Sequence, residues 1–122
     1  MRLFKQPDPH SCGAAVMYMV LNHYGIKEEF NTLCKKLNVY GVLFNGVTPC
    51  KMLNVLKMYG FDTKLLINSK KCSSVNLVLL KSPLHWVVWY YNGRSWKEYD
   101  PNRAVSSVLS NDRFMAAIAL QE

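Results

Sequence analysis

The dipeptide Asn92-Gly93 lies between two runs of residues that favour β-strands. The first run extends from His85 to Tyr91, and the second extends from Arg94 to Tyr99. Asn-Gly between such runs is the strongest short-range signal for a β-hairpin, because both residues readily adopt the positive φ angles of a tight turn. The sequence therefore predicts a hairpin over residues 85–99.

Three more segments of the second half have apolar patterns. Residues 61–67 alternate weakly, which favours an edge strand. Val75 to Leu80 is a short apolar run that suits a buried strand. The amphipathic segment from Asp112 to Ala119 predicts a final helix.

The first half of the chain is expected to be helical. Ser11 precedes a helix that Gly25 ends, and a second helix is expected from about Lys27 to Leu37. After a loop at residues 41–46, Thr48-Pro49 begins a third helix, because Thr is a good N-cap and Pro suits the first helical position. Helices followed by an antiparallel sheet predict an α+β domain of two packed layers.

Length and composition limit the class of protein. A chain of 122 residues allows a single domain over residues 1–122, and a hydrophobic fraction of 50% indicates a globular protein. The apolar runs are too short to cross a bilayer, and the N-terminus has prolines at positions 7 and 9 and no apolar stretch of signal-peptide length. We therefore expect a cytoplasmic protein with no membrane segment.

The four cysteines, Cys12, Cys34, Cys50 and Cys72, form no C-x-x-C pair. Without a signal peptide, four thiols in a reducing compartment are the favoured interpretation, with two disulfides of a secreted protein as the alternative. Only His10-x-Cys12 approaches the short ligand spacing of a zinc site. No metal or cofactor is therefore expected.

The formal net charge of +7 raises the question of nucleic-acid binding. Lys and Arg are spread along the chain, and the adjacent pairs Lys35-Lys36 and Lys70-Lys71 lie in no recognisable nucleic-acid motif. The simplest interpretation is a positively charged surface. Such a surface also favours attraction to an acidic partner or substrate.

Cys12 occupies the first turn of the first predicted helix. Unpaired backbone N–H groups and the helix dipole favour a thiolate at that position. Gly13 beside it has no side chain, so a substrate backbone is expected to approach closely. The structural alternative is that Cys12 is a small buried apolar residue.

His85 begins one strand of the predicted hairpin and Asp100 ends the other, so both belong to its open end. A carboxylate at that position is able to hold an imidazole in one tautomer and leave the other ring nitrogen for the Cys12 thiol. Gln6 lies six residues before Cys12 on a proline-stiffened segment, where its amide is able to donate to an oxyanion. Taken separately, each of these residues also suits an ordinary structural position.

The run from Gln6 to Ala15, QPDPHSCGAA, resembles the opening of the C39 peptidase family, whose pattern is Q-x5-C-G-x-A before a helix ending in Y-G. His85-Trp86-Val87-Val88 is similar to the family's H-x-V-V strand, and Asp100-Pro101 is similar to its D-P. The resemblance covers nearly the whole chain and implies a papain-like fold. It also implies catalytic roles for Gln6, Cys12, His85 and Asp100. C39 peptidases remove leader peptides, typically after a double glycine, and are best known as N-terminal domains of bacteriocin-exporting ABC transporters.

Two features depart from the family pattern. Ser11 stands where an acidic residue usually precedes the nucleophile, and this change is expected to affect local capping more than chemistry. No transporter segment follows Glu122, so a stand-alone version is expected.

Other polar and aromatic residues have weaker cases. His10 is too close to Cys12 in sequence to act as its base, and His23 suits the last turn of a helix. Cys34, Cys50 and Cys72 are expected to pack. The remaining candidates are aromatic residues that either line a groove or form core and cross-strand pairs, the second being favoured: Trp86, Trp89, Tyr90, Tyr91 and Trp96.

The expected function is hydrolysis of a peptide or isopeptide bond after small residues such as Gly-Gly, with a peptide or protein as substrate. Two other classes stay open. One is a catalytically idle C39-like module that binds a peptide or protein. The other is a basic protein that binds nucleic acid or a host factor, whose binding would fall steeply with added salt.

Overall fold

A computed structural model describes residues 1–40, 46–67 and 73–121 of the chain. The described residues form three helices, namely α1 (Cys12–His23), α2 (Phe30–Leu37) and α3 (Pro49–Met58). Their strands are β1 (Thr63–Leu66), β2 (Val75–Leu80), β3 (His85–Tyr91), β4 (Trp96–Tyr99), β5 (Val105–Ser106) and β6 (Phe114–Leu120). Most of the predicted loop at 41–46, Lys70-Lys71 and Cys72 lie outside the described residues.

The strands form an antiparallel sheet with the order β1-β6-β2-β3-β4-β5. Helix α1 packs on β3 and β2, and α2 packs on α1, so the helices form a second layer. This architecture confirms the predicted α+β fold. No helix within the described residues is long and apolar enough to cross a membrane.

Helix α1 is the central element of the helical layer. Its residues from Cys12 to Met17 are all buried, and the helix packs on the sheet through β3 and also against α2. A helix that is apolar on most sides is stable only in such a buried position. Gly25 follows α1 with φ +77°, a left-handed conformation that favours glycine.

Helix α2 is shorter than predicted. It begins at Phe30, whereas the sequence pattern indicated about Lys27. The residues before it are not helical, and Glu28 accepts a 2.7 Å hydrogen bond from the Tyr59 hydroxyl. Helix α3 begins as predicted, with Thr48 Oγ1 accepting from the Lys51 N–H at 3.2 Å.

The strand β3 pairs with β4 in the predicted hairpin, although β4 begins two residues later than expected. Tyr91 pairs with Trp96, and residues 92–95 form the turn. Asn92 Oδ1 accepts from the N–H groups of residues 94 and 95 at 2.9 and 3.0 Å. Gly93 has φ +96° whereas Asn92 has no positive φ, so the glycine supplies the left-handed backbone of the turn and Asn92 supplies its side-chain acceptor.

The predicted final helix at Asp112–Ala119 is wrong. Residues Phe114–Leu120 form β6, which lies between β1 and β2 and is preceded by a 3₁₀ turn at Asn111–Arg113. The last five residues of β6 are buried. Its backbone pairs with strands on both sides, and these hydrogen bonds override the helix propensity of its alanines, methionine and leucine.

Candidate active site

His85 and Asp100 meet at the open end of the β3–β4 hairpin. The ladder pairs Val88 with Tyr99, so His85 and Asp100 both lie just beyond this pair. His85 Nε2 is 2.6 Å from Asp100 Oδ1. The same carboxylate oxygen accepts from the Asn102 N–H at 2.8 Å, which fixes its orientation. The predicted contact between the two side chains is therefore present.

Cys12 is the first residue of α1 and is only 6% exposed. Its side chain lies within interaction range of the His85 imidazole and raises the pKa of that group. Because His85 Nε2 faces Asp100, Nδ1 is the ring nitrogen that remains for Cys12. The fold thus brings the three side chains together in the order thiol, imidazole and carboxylate.

The His85–Asp100 pair is charged at neutral pH. Burial lowers the pKa of His85, but hydrogen bonds to Asp100 and Cys12 outweigh it and raise the pKa to about 9. Burial raises the pKa of Asp100, but hydrogen bonds from His85 and the Asn102 N–H hold it below its usual value. An imidazolium and a carboxylate therefore lie side by side.

Gln6 is bound to the same end of the hairpin. Its N–H donates at 2.9 Å to the carbonyl of Pro101, the residue after Asp100. Its side-chain Nε2 donates at 2.8 Å to the Asp8 carbonyl, while its buried Oε1 has no hydrogen-bond partner among the described residues. An amide NH₂ group has two hydrogens, so one remains after the bond to Asp8.

A largely apolar cleft of about 480 Å³ opens beside Cys12 and His85. Its other described lining residues come from the segment before α3, from β2 and the turn after it, and from β3 and β6: Gly46, Val47, Thr48, Pro49, Leu79, Pro83, Leu84, Trp86 and Met115. Leu84 and Met115 are exposed at the cleft. A wider depression of about 850 Å³ between the end of α1 and the start of α2 contains none of the four candidate residues.

Gly13 has a packing reason for lacking a side chain, separate from the close substrate approach that the sequence led us to expect. A Cβ atom there would lie 2.8 Å from Val47 Cγ2 and 3.5 Å from Trp86 Cδ1. Glycine is therefore required by packing between α1 and the cleft wall.

The lower-ranked candidates lie elsewhere or have structural contacts. His10 is exposed and its backbone N–H donates to Asp8, and His23 lies in the last turn of α1 against Tyr90. The described cysteines, Cys12, Cys34 and Cys50, are free thiols. No group of three metal-ligating side chains occurs in the part of the chain that the structure describes.

Most of the aromatic candidates have structural roles. Trp86 and Trp89 are buried in the core. The rings of Tyr91 and Trp96 lie 5.3 Å apart as a cross-strand pair. Of these four residues, only Trp86 also lines the cleft and so combines the two expected roles.

The sequence interpretation missed the cleft walls. Met115 lies on the strand that was predicted as a helix, and Leu84 lies in a turn without a motif. The only available signal for Leu84 was its position immediately before His85. The 2.6 Å contact of the Tyr40 hydroxyl with the Asp8 carboxylate also has no local sequence signal.

Solved structures share this fold. A double glycine motif protease from an AMS/PCAT transporter, in complex with its leader peptide, superposes with a TM-score of 0.79 at 19% identity, over 98% of this chain and 89% of that chain. The peptidase domain of Streptococcus ComA, a bifunctional ABC transporter in a quorum-sensing pathway, gives a TM-score of 0.78 at 21% identity, over 98% and 96%. The Streptococcus mutans ComA peptidase domain with a small-molecule inhibitor gives 0.65 at 19% identity, over the full length of both chains.

No curated protein matches the chain. The sequence model of the peptidase C39 family matches residues 1–116, which is nearly the whole chain. A match of this extent identifies the family and agrees with the resemblance seen in the sequence. The chain belongs to the peptidase C39 family.

Proposed function

We propose that this chain hydrolyses a peptide or isopeptide bond through a thioester, with Cys12 as nucleophile, His85 as acid and base, Asp100 as the residue that orients His85, and Gln6 as an oxyanion donor. The observation that carries the proposal is that His85 contacts Asp100 through Nε2 at 2.6 Å, while Cys12 lies close enough to raise the pKa of the same imidazole. Nucleophile, base and orienting residue are arranged in this way in thiol hydrolases.

In the first step the Cys12 thiolate attacks the carbonyl carbon of the substrate. A C–S bond forms, and the π electron pair moves to the oxygen. The remaining hydrogen of the Gln6 amide and the Cys12 N–H, at the start of α1, stabilise that oxyanion. The cationic His85 stands beside the thiolate and carries the proton needed next.

In the second step the tetrahedral intermediate collapses and the C–N bond breaks. His85 gives its proton to the leaving amine, which leaves a thioester on Cys12. His85 then takes a proton from water, and the resulting hydroxide attacks the thioester carbonyl. Breaking of the C–S bond releases the acid and restores the Cys12–His85 pair.

The proposed substrates are peptides or proteins with small residues, such as Gly-Gly, immediately before the bond that is cleaved. The support is the apolar cleft, in which His85 lies between the turn residue Leu84 and the buried Trp86. One structurally similar protein is a double glycine motif protease solved with a leader peptide. The basic surface, with a net charge of +7, further favours substrates with acidic segments.

The test compares alkylation of Cys12 in the wild type and in His85→Ala, using iodoacetamide across pH and mass spectrometry. Cys34, Cys50 and Cys72 serve as internal controls. We expect Cys12 to be labelled selectively at a pH where ordinary thiols, with pKa about 8.5, are largely protonated. We expect His85→Ala to remove this selectivity.

A second measurement separates catalysis from thiol reactivity. Cys12→Ala should abolish cleavage of any true substrate, because no other described residue replaces the nucleophile at the start of α1. Equal labelling of all cysteines, together with retained peptide binding, would instead support the catalytically idle binding module. Cleavage that persists in Cys12→Ala would end the proposal.

A further inference from the structure

The backbone carbonyl of Asp8 connects the two ends of the segment that carries Gln6 and Cys12. It accepts from Gln6 Nε2 at 2.8 Å and from Ser11 Oγ at 3.3 Å. Ser11 is the residue before α1, and its carbonyl accepts from the N–H of Ala15 at 2.9 Å. The position of the Asp8 peptide therefore affects both the Gln6 amide and the entry into the helix that begins with Cys12.

The carboxylate of Asp8 holds that peptide in place from two directions. Oδ1 accepts from the His10 N–H at 2.9 Å, which closes a local turn. Oδ2 accepts from the hydroxyl of Tyr40 at 2.6 Å, across 32 residues of sequence. A bond this short to a carboxylate is charge-assisted and stronger than one between neutral groups.

Tyr40 is suited to hold Asp8 because it directly follows a buried residue while its own ring is largely exposed. It follows the left-handed C-cap of α2, Asn38, and the fully buried Val39. Its side chain is 60% exposed, so it contributes little to the core. The nearby Cys34 thiol on α2 also raises the pKa of the Tyr40 hydroxyl. Replacing Tyr40 by Phe therefore removes the hydrogen bond to Asp8 and leaves the main packing intact.

The charge states agree with this geometry. The hydrogen bond from Tyr40 lowers the pKa of Asp8, and the same bond raises the pKa of Tyr40 above its ordinary value. A carboxylate acceptor and a neutral phenol donor are therefore the stable forms at neutral pH.

We propose that Asp8 and Tyr40 are positioning residues that orient the Gln6 amide for oxyanion binding, an inference that rests on the proposed function. The Asp8 carbonyl takes one hydrogen of the Gln6 NH₂ group. If the amide turned over, its oxygen would face the Asp8 carbonyl oxygen, and the two would repel each other. The Asp8 carbonyl thus determines the orientation of the Gln6 amide. Tyr40 holds that carbonyl in place through its hydrogen bond to the Asp8 carboxylate.

The test uses two probes that react with Cys12. Acetyl-Gly-glycinal adds reversibly: a C–S bond forms, the C=O π pair moves to oxygen, and the thiol proton is retained in the hemithioacetal. Its affinity depends on the groups that donate hydrogen bonds to the former carbonyl oxygen, whereas alkylation by iodoacetamide forms a C–S bond, releases iodide and changes no carbonyl oxygen. Tyr40→Phe should weaken aldehyde binding about three- to tenfold and leave the alkylation rate of Cys12 within about twofold.

Matched variants control for a general loss of structure. Tyr59→Phe removes the same kind of bond, a 2.7 Å hydroxyl donation to Glu28, away from the cleft, and should leave both probes unchanged. Asp8→Ala should weaken aldehyde binding at least as much as Tyr40→Phe, and Asp8→Asn should weaken it less.

The decisive comparison places Tyr40→Phe in a Gln6→Ala background. If Tyr40 acts through Gln6, its substitution should have no further effect on aldehyde affinity there. An equal loss with and without Gln6, a parallel loss of alkylation, or no loss at all would overturn the inference. If the wild type binds the aldehyde and Tyr40→Phe binds it with the same affinity, only this inference fails. A wild type that does not bind the aldehyde contradicts the proposed function as well.

Discussion

The indole N–H of Trp86 donates a 2.8 Å hydrogen bond to the backbone carbonyl of Val47. Trp86 is the residue after His85, and Val47 lies just before α3, so the bond joins β3 to the opposite wall of the cleft. Gly13 packs against Val47 from the α1 side. The wall beside Cys12 is therefore held by contacts from α1 and β3, the two elements that also carry Cys12 and His85.

Gly13→Ala should destabilise the protein by about 1–3 kcal/mol, as overpacking does in a dense core. The new Cβ would lie 2.8 Å from Val47 Cγ2, so Val47 or α1 must move. A loss of stability would be opposite to the effect of helix propensity, because Ala in a helix is ordinarily favoured over Gly by about 1 kcal/mol. The free energy of unfolding in urea measures the effect.

Val47→Ala supplies the control for Gly13→Ala. Truncation of Val47 removes the methyl group that the new Cβ would meet. The double variant should therefore be more stable than the sum of the two single losses predicts. Strictly additive losses in the free energy of unfolding would show that the new Cβ at position 13 does not clash with Val47.

Asp100→Asn should move the alkaline limit of activity to lower pH. In the proposed mechanism His85 must keep its proton to stand beside the thiolate and to protonate the leaving amine, and its pKa of about 9 allows activity until the pH approaches that value. Removal of the negative charge lowers the pKa of His85, so the imidazole loses its proton earlier as the pH rises. The pH dependence of kcat/KM for a fluorogenic Gly-Gly peptide gives the measurement. An unchanged alkaline limb would mean that Asp100 does not set the charge of His85.

Much of the fold followed from local signals. The strand Val75–Leu80 and the start of α3 at Thr48-Pro49 agree with the sequence interpretation, because a buried apolar run and an N-cap act within a few residues. His85 and Asp100 were paired correctly because an Asn-Gly turn fixes which strand ends meet.

The missed features depend on partners distant in sequence. The segment Phe114–Leu120 has the composition of a helix, and only its insertion between β1 and β2 makes it a strand. Because Met115 lies on this strand, its side chain lines the cleft. The bond between Asp8 and Tyr40 spans 32 residues and follows from the fold alone.

Glu98→Ala should reduce the free energy of unfolding by about 1–3 kcal/mol, the cost of stranding buried hydrogen-bond donors. Glu98 is 6% exposed and accepts from Trp89 Nε1 at 2.9 Å, from the Ser110 N–H at 3.0 Å and from Ser110 Oγ at 3.0 Å. Urea unfolding measures the loss. Asp62→Ala, at an exposed carboxylate, should stay within about 0.5 kcal/mol. Equal effects of the two variants would contradict a structural role for the buried carboxylate.

Arg113→Met should raise KM with little change in kcat, because Arg113 holds one wall of the cleft. Its Nε donates to the Lys81 carbonyl at 3.0 Å and its Nη2 donates to the Pro83 carbonyl at 3.2 Å. The turn that contains Pro83 and Leu84 lines the cleft directly before His85. Methionine keeps the apolar stem of the side chain and removes both donors.

We expect KM for a fluorogenic Gly-Gly peptide to rise about three- to tenfold in Arg113→Met, with kcat within about twofold, since the lost bonds act on the binding wall and not on the reacting groups. Arg113→Lys, which retains a donor, should lie between the wild type and Arg113→Met. Arg94→Met is the matched control, because Arg94 lies in the turn at the other end of the hairpin from His85. A fall in kcat at constant KM would instead mean that the turn positions His85, and the wall would then have no separate part in substrate binding.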